Sequence, residues 1–134
     1  MKVLTIKEPY ATFIMNNLKQ IETRSWKTNY RGEIYIHAGK SKQFIKNIHS
    51  EKVISLMNKY DMNYGKIICK AKLVDCVYMT EEFINKIKQE KPEEFELGIY
   101  QVGRYAWILK DIEKINPSIE AKGKLNIWTY NELT

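Results

Sequence analysis

The sequence has few cysteines, no long apolar run and no segment that resembles a signal peptide. Its two cysteines, Cys69 and Cys76, match no zinc-ligand spacing and are too few for a disulfide framework. We therefore expect both to be small buried side chains of a protein from a reducing compartment. No stretch approaches the ~20 consecutive apolar residues that a transmembrane helix needs, so we expect a cytoplasmic protein with no membrane partner.

The sequence also lacks the common signatures of catalytic and metal sites. It contains no phosphate-binding loop of the Walker type and no pattern typical of a serine or cysteine nucleophile. Its two histidines, His37 and His49, are too sparse to form a metal site without cysteine or carboxylate support. Neither a metal ion nor another cofactor is therefore expected.

The residues that are present describe a basic globular chain. The length of 134 residues predicts a single domain over 1–134, and a hydrophobic fraction of 44% is enough for a packed core. Lysine and arginine number 22 against 16 acidic residues, which gives a net charge of +6. This excess favours a polyanionic partner such as RNA, because cations neutralise phosphates and release counterions. Solubility alone is an equally simple explanation of the charge.

Hydrophobic patterning predicts strands and helices that are interspersed along the chain. Alternating or β-branched residues predict strands or short extended elements over 3–6, 21–24, 33–38, 66–79, 104–115 and 123–128. Helical spacing predicts helices over 9–17, 41–60 and 80–89, with a possible break before 51. Thr80 and Ser50 are suitable N-caps, and Pro117 is expected to turn the chain. Because no regular βαβ rhythm appears, we expect an α+β fold built on a small, mostly antiparallel sheet or barrel.

The segment 19–24 concentrates opposite charges in six positions. If residues 21–24 are extended, Glu22 and Arg24 lie on one face and Thr23 on the other, while Lys19 at the helix exit reaches the same side as Glu22. The two cations suit a phosphate, and Glu22 suits an exocyclic amine or the role of general base. The alternative is an exposed cluster of ion pairs, each contributing at most ~1 kcal/mol.

Aromatic residues are plentiful and fall into two groups. Trp107 and Trp128 lie in apolar segments and are expected in the core. Trp26 and Tyr30 lie in a polar loop, where aromatic rings can stack on unpaired bases at ~1–3 kcal/mol per base. They are candidate binding residues.

Further polar residues flank the same region. His37 lies on the polar face of its predicted strand near Lys40, so it could contact a phosphate, act as an acid or base, or simply be solvated. Lys7, which follows the first predicted strand, is another candidate for phosphate binding together with Lys40.

These motifs, taken in order, resemble the ASCH domain family of the PUA-like superfamily. The similar segments are 4–11, 17–24, 30–32, 34–38, 105–109 and 123–128. The family hallmark is Gly-x-Lys-x-x-Glu-x-Arg, which Lys19, Glu22 and Arg24 match. Asn17 replaces the glycine, and asparagine tolerates the left-handed conformation that glycine favours at a helix end.

The resemblance implies a PUA-like small β-barrel with flanking helices and a cleft that contains the hallmark residues. It implies recognition of RNA or a modified nucleoside, and some members are hydrolases. One branch removes the acetyl group of N4-acetylcytidine with a lysine, a threonine and a glutamate, and another cleaves RNA. The lysine corresponds to Lys19, but the threonine position is Glu22, next to Thr23, and the glutamate position lies near Lys70 and Lys72. The chain therefore departs from that catalytic set.

Three hypotheses follow, and a binding module is preferred. In it, Glu22 reads a base edge, Trp26 or Tyr30 stacks, and the cations hold phosphate or sugar: Lys7, Lys19, Arg24 and Lys40. In the second, a hydrolase acts on RNA or a modified nucleoside, with Glu22 as general base, Lys19 as oxyanion stabiliser and Thr23 as a poorly oriented nucleophile. In the third, the chain is a protein-interaction adaptor with a vestigial cleft, for which the sequence offers no positive sign.

Overall fold

The computed structural model describes residues 1–131, in which strands and helices alternate irregularly. The strands are β1 (Lys2–Ile6), β2 (Ile21–Arg24), β3 (Gly32–Ala38), β4 (Lys66–Tyr78), β5 (Tyr105–Glu120) and β6 (Ile127–Thr129). The helices are α1 (Tyr10–Met15), α2 (Glu51–Met57), α3 (Glu81–Glu90) and α4 (Pro92–Glu96), with a 3-10 turn at Phe44–Asn47. None of the helices in this part of the chain is long and apolar enough to cross a membrane.

The strands form one mixed sheet in the order β2-β5-β4-β3-β1-β6. All neighbours are antiparallel except β1 and β3, which run parallel. Register shifts interrupt the long β4–β5 ladder at three places, and such bulges increase strand bending and twist. The sheet curls into a half-barrel with a few helices, which confirms the predicted α+β fold built on a small, mostly antiparallel barrel-like sheet.

The concave side of the curled sheet holds the main core, against which α1 packs. Ala11 and Ile14 of α1 are fully buried there. The strand residues of the same cluster include Leu4, Ile6, Ile34, Ile36, Ile68, Leu73, Trp107 and Leu109. Trp107 is 0% exposed and Trp128 is 7% exposed, so both tryptophans occupy core positions as predicted.

The end of α1 explains how the chain enters β2. The amide of Leu18 donates to the carbonyl of Phe13 over 2.9 Å, and the amide of Asn17 donates to Ile14 over 3.0 Å. This pair of bonds is the Schellman helix stop, which needs a left-handed residue, and Asn17 has φ +59°. The prediction that Asn17 replaces glycine at a helix end is confirmed, and the turn delivers Lys19 to the start of β2.

Two predicted helix caps are also present. The hydroxyl of Thr80 accepts from the amide of Phe83 over 3.1 Å, and Ser50 accepts from Val53 over 3.3 Å. The predicted helix over 41–60 is therefore divided: only Glu51–Met57 is α-helical, and the preceding segment contains the 3-10 turn.

The prolines account for two differences from the predicted elements. Pro117 does not turn the chain, because β5 continues through it to Glu120. It lies beside the register shift between Ile67 and Cys69 on β4, where the interrupted ladder needs no amide donor from a proline. Pro92, expected only to follow a helix, begins α4, since its fixed φ suits a first helical position.

Candidate functional site

A pocket of about 680 Å³ opens where the curl of the sheet brings β2 close to β1. These strands are not neighbours in the sheet, yet the guanidinium of Arg24 donates to the carbonyl of Thr5 over 3.2 Å. The remaining walls come from three loop segments, 39–44, 97–99 and 122–126. The pocket therefore lies at the open seam of the half-barrel.

Lys19 is the most unusual residue of this pocket, because its side chain is charged and only 1% exposed. Its ammonium donates to the carbonyl of Ile21 and lies 5.7 Å from the centre of the Tyr10 ring. Within residues 1–131 it forms no direct ion pair, although Glu22 and Glu94 attract it through space. Desolvation lowers the pKa of Lys19, and the attraction of the two carboxylates opposes this shift.

Glu22 and Arg24 lie side by side on the pocket face of β2. The carboxylate of Glu22 is 3.3 Å from the guanidinium of Arg24, and Glu22 is 6% exposed. The guanidinium also lies over two indole rings, 5.6 Å from the centre of Trp26 and 5.8 Å from that of Trp107. Trp26 and Trp107 meet edge to face at 4.6 Å, so the orientation of Arg24 is held from several sides.

Thr23 has a different role from its neighbours on β2. Its hydroxyl accepts from the amide of Ile99 over 3.0 Å, and its carbonyl accepts from Arg104 over 3.1 Å. Arg104 also donates to the carbonyl of Ile99. Thr23 therefore fixes the loop 97–99 that forms one wall, although the residue itself also lines the pocket.

Glu94, which does not line the pocket, attracts the ammonium of Lys19 through space. One oxygen of Glu94, on α4, accepts from the amide of Gln20 over 2.7 Å, which ties α4 to the segment before β2. Its other oxygen and the hydroxyl of Tyr100 are buried and have no hydrogen-bond partner among the described residues. Burial and the charge of Glu94 both raise the pKa of Tyr100, so this hydroxyl stays neutral.

Two further aromatic rings, Tyr10 and Phe44, form part of the pocket wall. Tyr10 and Phe44 contact each other with ring centres 5.8 Å apart, and the ammonium of Lys7 lies 4.9 Å from the centre of Phe44. Burial raises the pKa of Tyr10, and the nearby carboxylate of Glu22 adds to that shift. Sequence reasoning treated Phe44 as an apolar helix position, so neither ring was singled out.

His37 lies at the other end of the pocket and is bonded on both ring nitrogens. Nε2 is 2.7 Å from the carbonyl of Ala121 and must donate, which leaves Nδ1 to accept from the hydroxyl of Thr5 at 3.2 Å. The indole of Trp128 donates to that same hydroxyl over 3.0 Å. Burial lowers the pKa of His37 against the opposing bond to Ala121, so the neutral ring is favoured. The residue is 1% exposed, unlike the solvated polar face that alternation suggested.

The structure brings together all but one of the residues singled out as candidates from the sequence. Those that line the pocket are Lys7, Lys19, Glu22, Thr23, Arg24, Trp26, His37 and Lys40. Tyr30 does not line it; its ring packs against the main core, and its hydroxyl donates to the carbonyl of Glu33. Further lining residues that sequence reasoning missed include Tyr10, Phe44, Arg104, Lys122, Lys124 and Asn126.

The electrostatic character of the pocket is one-sided. Its lining contains a single carboxylate, that of Glu22. The cations of the lining are Lys7, Lys19, Arg24, Lys40, Arg104, Lys122 and Lys124. Across residues 1–131 no group of three histidine, cysteine or acidic side chains could hold a metal ion. The arrangement can accept hydrogen bonds from one amine at Glu22 and can bind negative charge or carbonyl oxygens around it.

The curled half-barrel, with a lysine, a glutamate and an arginine beside the pocket, has the features expected of an ASCH-type domain. The family model for the ASCH domain matches residues 4–119. The chain therefore belongs to the ASCH domain family.

Individual relatives are distant. Human activating signal cointegrator 1 is 22% identical over 127 residues, which cover 93% of this chain but only 21% of that protein. The chain thus spans about a fifth of that relative. The crystal structure of ASCH from Zymomonas mobilis superposes with a TM-score of 0.56 at 18% identity, covering 89% of this chain and 72% of the other. The crystal structure of a mutant of that same protein gives a TM-score of 0.55 at 18% identity, with 89% and 74% covered. At this identity the two crystal structures support the fold alone.

Proposed function

We propose that the pocket binds a base of RNA or of a modified nucleoside, with Lys19, Glu22 and Arg24 as its polar contacts. The observation that carries this proposal is the buried ammonium of Lys19, which has one hydrogen bond to a backbone carbonyl and no direct ion pair within the described chain. A buried charge of this kind is costly unless further polar groups surround it. A ligand oxygen that accepts from the two remaining ammonium protons offsets that cost.

Glu22 and Arg24 provide further hydrogen-bonding groups for a base beside Lys19. The carboxylate of Glu22 accepts hydrogen bonds from one protein partner, so it can also accept from an amino or imino group of a ligand. Donors and an acceptor placed side by side complement the edge of a nucleobase, whose amines and carbonyls also alternate. Tyr10 and Trp26 supply aromatic surface on which a planar base can stack.

Membership in the ASCH family, which is associated with RNA binding, supports the same ligand class. The excess of cations over the single carboxylate in the lining favours a ligand with negative charge nearby. The proposal accordingly covers single-stranded RNA and free modified nucleosides, with the base recognised in the seam in both cases.

Binding measurements on matched variants test this function. Fluorescence anisotropy with short single-stranded RNAs, and calorimetry with a panel of modified nucleosides, compare the wild type with Lys19→Met and Glu22→Gln. Lys86→Met, at an exposed position of α3, removes the same charge away from the pocket. We expect the two pocket variants to lose at least about tenfold in affinity, because each leaves a buried polar partner unmatched. Lys86→Met should bind like the wild type, and equal binding by all four proteins would reject the proposal.

A hydrolase is the second candidate function, and one observation favours it. A lysine whose pKa is lowered by burial lies beside a buried carboxylate, which suits general base and oxyanion roles for Glu22 and Lys19. Against the amidohydrolase branch, Lys70 is engaged outside the pocket with Glu33 at 3.7 Å, and the lining offers no second carboxylate. Product formation from N4-acetylcytidine or short RNA, compared between wild type and Glu22→Gln, tests it. Equal turnover by both proteins would exclude Glu22 as the base.

A further inference from the structure

The loop 121–126, here called the mouth loop, forms the outer end of the pocket and takes no part in the proposed base contacts. It is anchored at its first residue. The amide of Ala121 donates to the carbonyl of Gly65 over 3.1 Å, and the carbonyl of Ala121 accepts from His37 over 2.7 Å. Because both bonds hold backbone atoms of Ala121, the start of the loop is fixed without its exposed side chains.

Gly123 brings the backbone of the mouth loop against the floor of the pocket. A Cβ atom at this position would lie 3.0 Å from Cε1 of His37 and 3.1 Å from the hydroxyl of Thr5. Such contacts are tighter than side-chain carbons normally make, so any residue larger than glycine would have to push the loop or the ring aside. Lys122 and Lys124 flank Gly123, and both line the pocket with exposed side chains.

The groups around Gly123 have the chemistry of an anion site. Lys122, Lys124 and Lys40 form no ion pair with any carboxylate of residues 1–131. In the same part of the chain, no amide from 122 to 126 donates to a protein acceptor. By contrast, Lys70 and Lys72 on the outer face of the sheet are each paired with a carboxylate. Ammonium groups without a carboxylate partner, beside unused backbone amides, are typical of phosphate binding.

The distance between the mouth loop and Arg24, one of the proposed base contacts, suits one nucleotide. Thr5 joins the two, since its carbonyl accepts from Arg24 and its hydroxyl lies directly beneath Gly123. A single residue of β1 therefore separates the guanidinium from the mouth loop, a span of at most roughly 10 Å by ordinary covalent dimensions. A ribose separates a base from its phosphate by a comparable length.

We propose that Lys40, Lys122 and Lys124, with the free amides of the mouth loop, form a phosphate subsite, so that the pocket takes a nucleotide in preference to a free nucleoside. The inference rests on the proposed function, because it assumes that a base occupies the seam. It adds a ligand group that the seam residues do not recognise, and it assigns His37 the role of positioning the loop through Ala121.

Calorimetry at low salt with matched pairs of probes tests the subsite. The probes are the four common ribonucleosides and their 5′- and 3′-monophosphates. The test variant is Lys122→Gln with Lys124→Gln, and the control is Lys59→Gln with Lys86→Gln, which makes the same charge change at exposed positions outside the pocket. We expect at least one monophosphate to bind the wild type about tenfold more tightly than its nucleoside, which is the scale of one charge-assisted contact.

The possible results distinguish failure of the phosphate subsite from failure of the proposed base binding. The test variant should lose the advantage of the phosphate while its affinity for the nucleoside stays unchanged, and the control should keep both. Equal binding of nucleoside and monophosphate by the wild type overturns the subsite but leaves base recognition in the seam intact. A test variant that retains the phosphate advantage also overturns it. If no nucleoside, nucleotide or RNA binds the wild type, the proposed function fails and the subsite fails with it.

Discussion

Replacing Lys19 with methionine should separate the stability of the protein from its binding activity. Methionine has nearly the length of lysine but carries no charge, so it can occupy the same buried space beside Tyr10. The wild-type ammonium is 1% exposed and has one hydrogen bond, to the carbonyl of Ile21. If the charge is retained for a ligand, its removal should not harm the free protein and should weaken binding.

The size of the effect follows from two opposing terms. Replacing a buried ion pair or triad by apolar side chains is often neutral or stabilises proteins by about 1–4 kcal/mol, and we expect the same range for the unpaired ammonium of Lys19. Loss of the bond to the carbonyl of Ile21 costs about 1 kcal/mol. The net change in the free energy of unfolding should therefore lie between about zero and +3 kcal/mol, which corresponds to a rise in melting temperature of up to roughly 10 °C.

The pH dependence of stability supplies a second readout. Because burial lowers the pKa of Lys19, the unfolded state binds more protons than the folded state between the lowered pKa and the ordinary value of 10.5. Wild-type stability should therefore gain a positive contribution as pH rises through that window, and Lys19→Met should lack it. The stability difference between the two proteins should shrink toward alkaline pH.

Urea unfolding monitored by tryptophan fluorescence between neutral and alkaline pH measures both effects. Lys86→Met, on the exposed face of α3, controls for the loss of one surface charge. A loss of more than about 1 kcal/mol in the free energy of unfolding of Lys19→Met would show that the ammonium is a net structural contact. A stability difference that did not change with pH would show that the pKa of Lys19 is not lowered in the folded protein, and it would refute the desolvation of the ammonium.

Three further predictions concern positions away from the seam contacts. Thr80→Ala removes the cap on the amide of Phe83 and should lower stability by about 1 kcal/mol in urea unfolding, with RNA binding unchanged. Asn17→Gly should be nearly neutral, whereas Asn17→Val should destabilise by about 1–2 kcal/mol because φ is +59° there. Gly123→Ala should displace the mouth loop from His37, so calorimetry should show weaker nucleotide binding while the melting temperature changes little. An unchanged affinity would contradict the close packing of the loop on His37.

The sequence predicted correctly those local structures that a single short-range interaction determines. Thr80 and Ser50 cap helices because a hydroxyl three residues before an amide is sufficient, and Asn17 adopts a left-handed conformation that its own side chain tolerates. Strict alternation placed Glu22 and Arg24 on one face of β2, as the ion pair between them shows. Neighbours in sequence determine each of these features.

Structural features that depend on residues far away in the sequence could not be predicted from it. Pro117 stays inside β5 because a bulge on β4 spares its missing amide, and no local signal indicates that bulge. His37 was placed on a polar face, yet the loop after β5 covers it through Ala121, 84 residues away. Lys122 and Lys124 reach the pocket only because the sheet curls, so their contribution is a property of the topology.

The two basic side chains of the pocket, Arg24 and Lys19, differ in how much of the surrounding structure they hold together. β1 pairs with β3 and β6, whereas β2 is an edge strand that among the described strands pairs only with β5, so β2 and β1 approach each other without strand pairing. Arg24 bridges that gap through the carbonyl of Thr5, so it contributes to structure as well as to any ligand contact. Within the described chain, Lys19 donates only to the carbonyl of Ile21 in its own segment, although its ammonium also lies over the Tyr10 ring and is attracted by Glu22 and Glu94. The contacts of Arg24 therefore contribute to structure, whereas the buried ammonium of Lys19 is the feature on which the proposed ligand binding depends.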